Sequence, residues 1–292
     1  MGIYKNNIRP FLSHPLNRNN KIKSVIRFIK WQFILRITNR NNAWLMALHD
    51  CGFRVLTKKG QTGMTGNLYS GLLEFEEMMF VIHFIREDDV FFDVGANVGI
   101  YSLLASYLKK ARAHCFEPVP STFYFLRMNM LANNLEDLVT CYNKGVGDKL
   151  ATLKFASDMD AMNKIVEDGY SGKVVEAEVV RLDDFFQKKP LESYGMFKID
   201  TEGYEHNVLK GADSIISNPR IKAVLVEMND AENIHGFLSA KGFTACEYNP
   251  FTRQLKEIGH LSKANIIYIK DLPFVRERVQ TADKFCIRGY EF

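Results

Sequence analysis

The apolar positions of this chain change period along its length. Over residues 21–38, KIKSVIRFIKWQFILRIT, Ile22, Val25, Ile26, Ile29 and Phe33 recur at spacings of three and four, which predicts an amphipathic helix. Lys23, Arg27 and Lys30 share a different face of it. Residues 53–71 hold Gly60, Gly63, Gly66 and Gly71 among short β-like runs, a pattern of turns or a small hairpin. A second helix is expected over about 73–86. From residue 90 the chain alternates short apolar runs with helical stretches. The predicted strands are 90–94, 113–117, 138–143, 195–200, 223–228, 243–248 and 264–270, with some strand character at 174–182. Helices are expected after the first strand, over 121–133, after residue 201 and near 231–241. Such alternation predicts an α/β fold: a mostly parallel seven-stranded sheet covered by helices on both faces. Residues 1–72 read as a basic extension and residues 73–292 as the main domain.

Composition sharpens this picture in three places. Hydrophobic residues make up 47% and charged residues 25%, ordinary globular proportions. No run reaches the roughly 18–20 apolar residues of a membrane-spanning helix. No signal-peptide pattern opens the chain, so a cytoplasmic protein is expected, with the inner face of the membrane within reach of its basic segment. The net charge of +4 hides an asymmetry: residues 1–50 carry nine Lys/Arg against Asp50 alone. A basic arm on a mildly acidic body suits an anionic partner such as lipid head groups, a phosphorylated carrier or nucleic acid. The aromatics that would stack on single-stranded nucleic acid, Phe28, Trp31 and Phe33, are expected to pack instead, which disfavours that last partner. Oligomeric state leaves no signature. The five cysteines, Cys51, Cys115, Cys141, Cys246 and Cys286, are scattered and form no C-x-x-C pair, which argues against a disulfide framework or structural zinc.

On parallel sheets ligands bind beyond the carboxyl ends of the strands, so those ends carry the candidate chemistry. The first strand ends Asp93-Val94-Gly95-Ala96-Asn97-Val98-Gly99. Its glycines let the backbone turn tightly and approach a ligand. It is neither the dinucleotide fingerprint, because position 97 is Asn, nor a P-loop, because no Lys-Ser/Thr follows. Asp93 would repel a phosphate and welcome an amino group. The second strand ends Phe116-Glu117-Pro118, and an acid there typically accepts hydrogen bonds from the two hydroxyls of a ribose. Asp200, Glu202, Glu205 and His206 cluster at the end of the fourth strand, and Glu227 ends the fifth. Spacing alone demands no metal. Tyr248-Asn249-Pro250-Phe251 is similar to the Asn-Pro-Pro-Tyr element of enzymes that methylate exocyclic amines. It lacks the second proline, follows the wrong strand and reads as a turn.

Asp93, the glycine loop and Glu117 together resemble the S-adenosylmethionine site of Rossmann-like, class I methyltransferases. Downstream, Leu182-Asp183-Asp184-Phe185, the run Phe197-Lys198-Ile199-Asp200-Thr201-Glu202-Gly203-Tyr204-Glu205, Val208-Leu209-Lys210-Gly211-Ala212 and Val224-Leu225-Val226-Glu227 resemble the ordered blocks of the FkbM family. The resemblance runs from about 88 to 230. It implies methyl transfer from S-adenosylmethionine, with S-adenosylhomocysteine as product, to a hydroxyl of a sugar, lipid-linked glycan or secondary metabolite. It also implies that Asp93, Gly95, Ala96, Asn97 and Gly99 line the methionine and ribose side and that Glu117 and Pro118 hold the ribose. Asn143 and Gly145 would lie near the adenine, and Asp200 where methyl and acceptor meet. An alcohol needs a base, so Asp200, Glu202 and Glu227 are the catalytic candidates. The competing readings are an RNA methyltransferase that uses the basic arm and a non-catalytic binding protein that keeps the fold.

Overall fold

The computed structural model describes residues 9–18, 20–37, 43–48, 50–58, 61–158, 163–167, 169–186, 191–261 and 264–292. Lys5 and Arg40 of the basic arm, Thr38 of the predicted helix and Gly60 of the predicted turns lie outside them. The N-terminal part comprises α1 (Arg9–Ser13), α2 (Lys21–Ile37), an antiparallel hairpin of β1 (Ala43–Leu48) and β2 (Phe53–Lys58), α3 (Thr62–Ser70) and α4 (Phe75–Phe84). The hairpin begins ahead of the predicted turn region, and residues 62–70 are helical rather than turns. Tertiary packing overrides the weak helix propensity of glycine there. A Cβ at Gly66 would stand 2.7 Å from Leu73, and Met64 and Leu72 sit in the main core.

The alternating part follows as β3 (Val90–Val94), α5 (Ile100–Leu103, continued by a π-helical turn to Leu108), β4 (Arg112–Phe116), α6 (Pro120–Leu131) and β5 (Val139–Tyr142). Three short strands, β6 (Gly145–Val146), β7 (Ala151–Ala156) and β8 (Val174–Val180), form a separate small sheet. The chain continues with α7 (Leu182–Phe186), β9 (Gly195–Ile199), α8 (Glu205–Gly211), α9 (Asp213–Ser217), β10 (Ile221–Glu227), α10 (Ala231–Ala240) and β11 (Thr244–Asn249). It closes with β12 (Gln254–Glu257), β13 (Asn265–Ile269), α11 (Leu272–Gln280) and a two-strand ribbon, β14 (Cys286–Ile287) and β15 (Tyr290–Glu291).

The central sheet has eight strands in the order β12-β11-β13-β10-β9-β3-β4-β5. Strands β5, β4, β3, β9 and β10 are parallel, whereas β13 runs antiparallel between β10 and β11. The expected seven strands are all present, and β12 is an addition at the edge. Its sequence, Gln-Leu-Lys-Glu, buries only Leu255 and carries no apolar run. Both faces of the central strands are buried, so successive residues feed two different cores. Phe91, Met196 and Leu225 point to one face with Phe80, Phe84 and Val275, while Phe92, Phe197 and Val226 point to the other with Val208, Leu209 and Ile234. Phe53, Val55 and Leu72 share the first of these cores with residues of the sheet. Asn249-Pro250-Phe251 is indeed a turn, closed by the Asn249 side chain accepting from the Phe251 N–H at 2.9 Å. All five cysteines are free.

Two buried asparagines, Asn129 on α6 and Asn133 just past its end, hold the hairpin, and Asn129 also ties it to the strand-end loop. Asn129 accepts from the Leu56 N–H at 2.6 Å and donates to the Val98 carbonyl at 2.8 Å. Asn133 accepts from the Arg54 N–H and donates to the Arg54 carbonyl. Replacing Asn129 with Ala leaves a donor and an acceptor unpaired at a site without access to water. The expected cost is about 2–4 kcal/mol in urea unfolding. A change within about 0.5 kcal/mol would show that this bridge is not structural.

Candidate active site

The first half of the site is built by the ends of β3 and β4. The N–H groups of Gly95 and Ala96 both donate to the Phe116 carbonyl at 3.0 Å, which folds the loop back across β4. Gly95 has φ +76°, and a Cβ there would stand 1.8 Å from the Asp200 carbonyl oxygen, so only glycine fits. Asn97 also takes a left-handed conformation, φ 50°, which a non-glycine residue holds only at some cost. The loop presents its backbone to Glu117. One carboxylate oxygen of Glu117 accepts from the Asn97 N–H at 3.1 Å and the other from the Val119 N–H at 2.9 Å. A carboxylate has about four acceptor positions, so one on each oxygen is left for two further donors. Burial pushes the Glu117 carboxyl up to about 7, against the pull of those two N–H groups.

The second half is built by the ends of β9 and β10. Lys198 is a charged residue inside the apolar strand Gly-Met-Phe-Lys-Ile and is only 7% exposed. Its ammonium lies 2.8 Å from Asp200 and 5.0 Å from the ring centre of Tyr101. Burial opposes the charge on Lys198, but Asp200, Asp93 and Glu74 outweigh that and raise it. Glu202 follows in a left-handed conformation, φ 55°. Burial first, then Asp200 and Glu205, pushes its carboxyl up to about 7. Burial likewise, then Asp200, Glu202 and Glu205, pushes Glu227 up to about 8. Glu205 is fully buried and organises the loop, accepting from the N–H groups of Thr201 at 2.9 Å and Gly203 at 3.0 Å. Asp200, Glu202 and Glu227 each offer an oxygen within 4.8 Å of the others, a spacing that could also seat a divalent cation.

The two halves share one cavity of about 320 Å³. Gly95, Ala96, Asn97, Glu117, Pro118, Gly145, Asp200, Glu202 and Glu227 all line it. Of the other predicted residues, Asp93 and Gly99 lie behind its wall and Asn143 is exposed beside it. Asp93 is wholly buried and accepts from the Ser102 hydroxyl at 2.6 Å. Gly99, φ +88°, makes room for Leu126 and Met130 of α6. Asn143 braces the turn by donating to the Glu117 and Pro118 carbonyls, both at 2.9 Å. His206 packs near Phe237 away from the lining.

Several lining residues carry no motif. Glu74, at the start of α4, accepts from the Tyr101 hydroxyl at 2.7 Å and from Asn265 at 3.3 Å. Burial raises its carboxyl, with Lys198 opposing. Asn67 of α3 and Met78 of α4 complete this end. Lys198 had one readable signal, a charge inside a strand otherwise apolar, which requires a buried partner. Glu74 and Asn67 had none, because only the tertiary fold brings the N-terminal helices over the strand ends.

The sheet order, with β13 reversed beside β10, and the glycine loop facing Glu117 define a Rossmann-like methyltransferase of class I. The sequence profile of the FkbM methyltransferase domain matches residues 93–250, more than half of the chain. The protein belongs to the FkbM methyltransferase family. Its relatives include the 31-O-demethyl-FK506 methyltransferase FkbM of Streptomyces tacrolimicus, 30% identical over 55% of this chain and 74% of the relative. The hexuronic acid methyltransferase AglP of Haloferax volcanii is 27% identical over 49% of this chain and 57% of its own. Among solved structures, the methyltransferase FkbM of Methylobacillus flagellatus KT aligns with 85% of this chain and 60% of its own, at 15% identity and TM-score 0.45.

The crowded carboxylates have a consequence for stability. Glu227 is ionised less readily in the folded than in the unfolded protein, so its contribution is intact below about pH 4.5 and is lost as pH rises through about 8. Glu227→Gln is therefore expected to stabilise the protein by about 1–2 kcal/mol at pH 9 and to leave it unchanged at pH 4.5. Urea unfolding at the two pH values checks this, and equal effects at both would contradict the crowding.

Proposed function

We propose that the protein transfers the methyl group of S-adenosylmethionine to a hydroxyl of a saccharide, lipid-linked glycan or secondary metabolite, releasing S-adenosylhomocysteine. The observation that carries this reading is Glu117, whose two oxygens are each fixed by one backbone N–H and each keep a free acceptor position beside the cavity. A ribose offers two adjacent hydroxyl donors to match. Gly95, Ala96 and Asn97 leave backbone, rather than side chain, against the rest of the cofactor, and Gly145 borders the side assigned to the adenine. The bound cofactor supplies a methyl group already activated by its sulfonium charge. The names of the relatives, one acting on a 31-O-demethyl compound and one on a hexuronic acid, support a hydroxylated acceptor.

In this reading the two substrates occupy the two ends of the cavity. Glu117 follows β4, Gly95 follows β3, Asp200 follows β9 and Glu227 ends β10, where it faces Asn265 of β13. Neighbouring strands lie about 4.8 Å apart, so the cavity spans roughly 14 Å of sheet edge from Glu117 to Glu227. In this reading Asp200 orients the acceptor hydroxyl, because its own charge is already matched by Lys198. Glu202, with Glu227 beside it, takes the proton as the hydroxyl oxygen bonds to the methyl carbon. A carboxyl near 7 is suited to this task at neutral pH.

The test is transfer of labelled methyl from S-adenosylmethionine to a panel of saccharides and hydroxylated metabolites. Asp200→Asn and Glu202→Gln are each expected to lower kcat at least about 100-fold while cofactor affinity stays within a few-fold. In the unsubstituted enzyme kcat is expected to rise between pH 6 and 8, as Glu202 loses its proton. Full turnover by both variants would refute the assigned roles.

A further inference from the structure

The long N-terminal helix does not dock by the face that its sequence offers. Helix α2 packs on α3 through Trp31, with Phe28 against Phe11 and Tyr69. Ser24 is buried as well and bonds to Asn17, and Arg27 is drawn onto both. The predicted apolar stripe points away: Ile22 is 78% exposed, Ile26 47%, Ile29 59% and Phe33 61%. At 3.6 residues per turn these four lie within about 60° of one another around the axis and span about 16 Å along it. Phe33, expected to pack, is therefore at the surface, while Phe28 and Trp31 do pack.

Cations frame this stripe. Lys23 and Lys30 lie on one flank, Lys21 on the other and Arg36 close to the stripe itself, and all four are exposed. Residues 1–49 contain no Asp or Glu. A solvated surface does not ordinarily expose four large apolar side chains in one row. An apolar row set between exposed cations has the chemistry of a helix lying in an anionic bilayer interface, with its apolar side among acyl chains and its ammonium groups at the phosphates. We infer that α2 is a membrane-docking helix whose occupant is the surface of an anionic lipid bilayer. This surface also leads to the cavity: α3, on which α2 rests, contributes Asn67 to the lining. The inference does not depend on the methyl-transfer reading, since none of its residues lines the cavity.

Flotation of the full chain with vesicles tests it. The unaltered protein is expected to float with phosphatidylcholine vesicles containing phosphatidylglycerol and not with phosphatidylcholine alone, and salt should weaken the association. The double variant Ile29→Asp, Phe33→Asp should lose at least about tenfold in vesicle affinity. The triple variant Lys21→Glu, Lys23→Glu, Lys30→Glu should lose at least about 100-fold. Both sets are at exposed positions, and unchanged unfolding midpoints would separate lost docking from lost folding. Equal flotation with both vesicle types, or full flotation of both variants, would overturn the proposal. So would concentration-dependent self-association that the apolar variants abolish, which would make a second copy the occupant. Tight binding to an RNA oligonucleotide with no vesicle binding would overturn it in favour of nucleic acid.

Discussion

The loop after β3 and the end of β9 approach so closely that the Asp200 carbonyl occupies the space a side chain at position 95 would need. Everything at the site depends on that contact. It brings the glycine loop up against Asp200 and the carboxylates beyond it. It also explains the glycine without appeal to flexibility. Parallel neighbours β3 and β9 end level with each other, and a Cβ would force them apart. The carboxyl ends of the central strands thereby become one continuous edge, with Glu117 two strands from Asp200.

That edge gathers more negative charge than it could hold unaided. Asp93, Asp200 and Glu74 surround a single buried lysine, and Glu202 and Glu227 stand just beyond it. Lys198 forms an ion pair with Asp200, whereas burial and the neighbouring carboxylates raise Glu202 and Glu227, which hold their protons toward neutral pH. In the proposed mechanism, position thus divides similar carboxylates into an anchor and a base, the separation expected where one site must both orient and deprotonate. The left-handed backbone at Asn97 and Glu202 places strain at the two loops that face the cavity.

Much of this was legible in the sequence because the central strands are buried on both faces, so that Val-Phe-Phe-Asp-Val and Ala-Val-Leu-Val-Glu read as apolar runs with an acid at or next to the carboxyl end. The loop glycines were legible for a related reason: few residue types fit a tight turn. The failures have physical causes. Gly66 suggested a turn where close packing on Leu73 makes a helix, and Gln254–Glu257 forms an edge strand with one buried residue and no pattern. Periodicity located the apolar stripe of α2 correctly. It could not say that Ser24, Phe28 and Trp31 would be the face that packs, because that depends on the shape of α3.

The central claim is that Glu117 and the Gly95–Asn97 loop bind an adenosyl ligand through its ribose. Titration calorimetry with S-adenosylhomocysteine and with NAD, on the unaltered protein and on Glu117→Gln, tests it most directly. The account requires one site per chain for S-adenosylhomocysteine, no measurable heat with NAD, and a loss of about 10- to 100-fold in affinity in the variant. Comparable binding of NAD, or an affinity for S-adenosylhomocysteine that ignores the substitution, would contradict it.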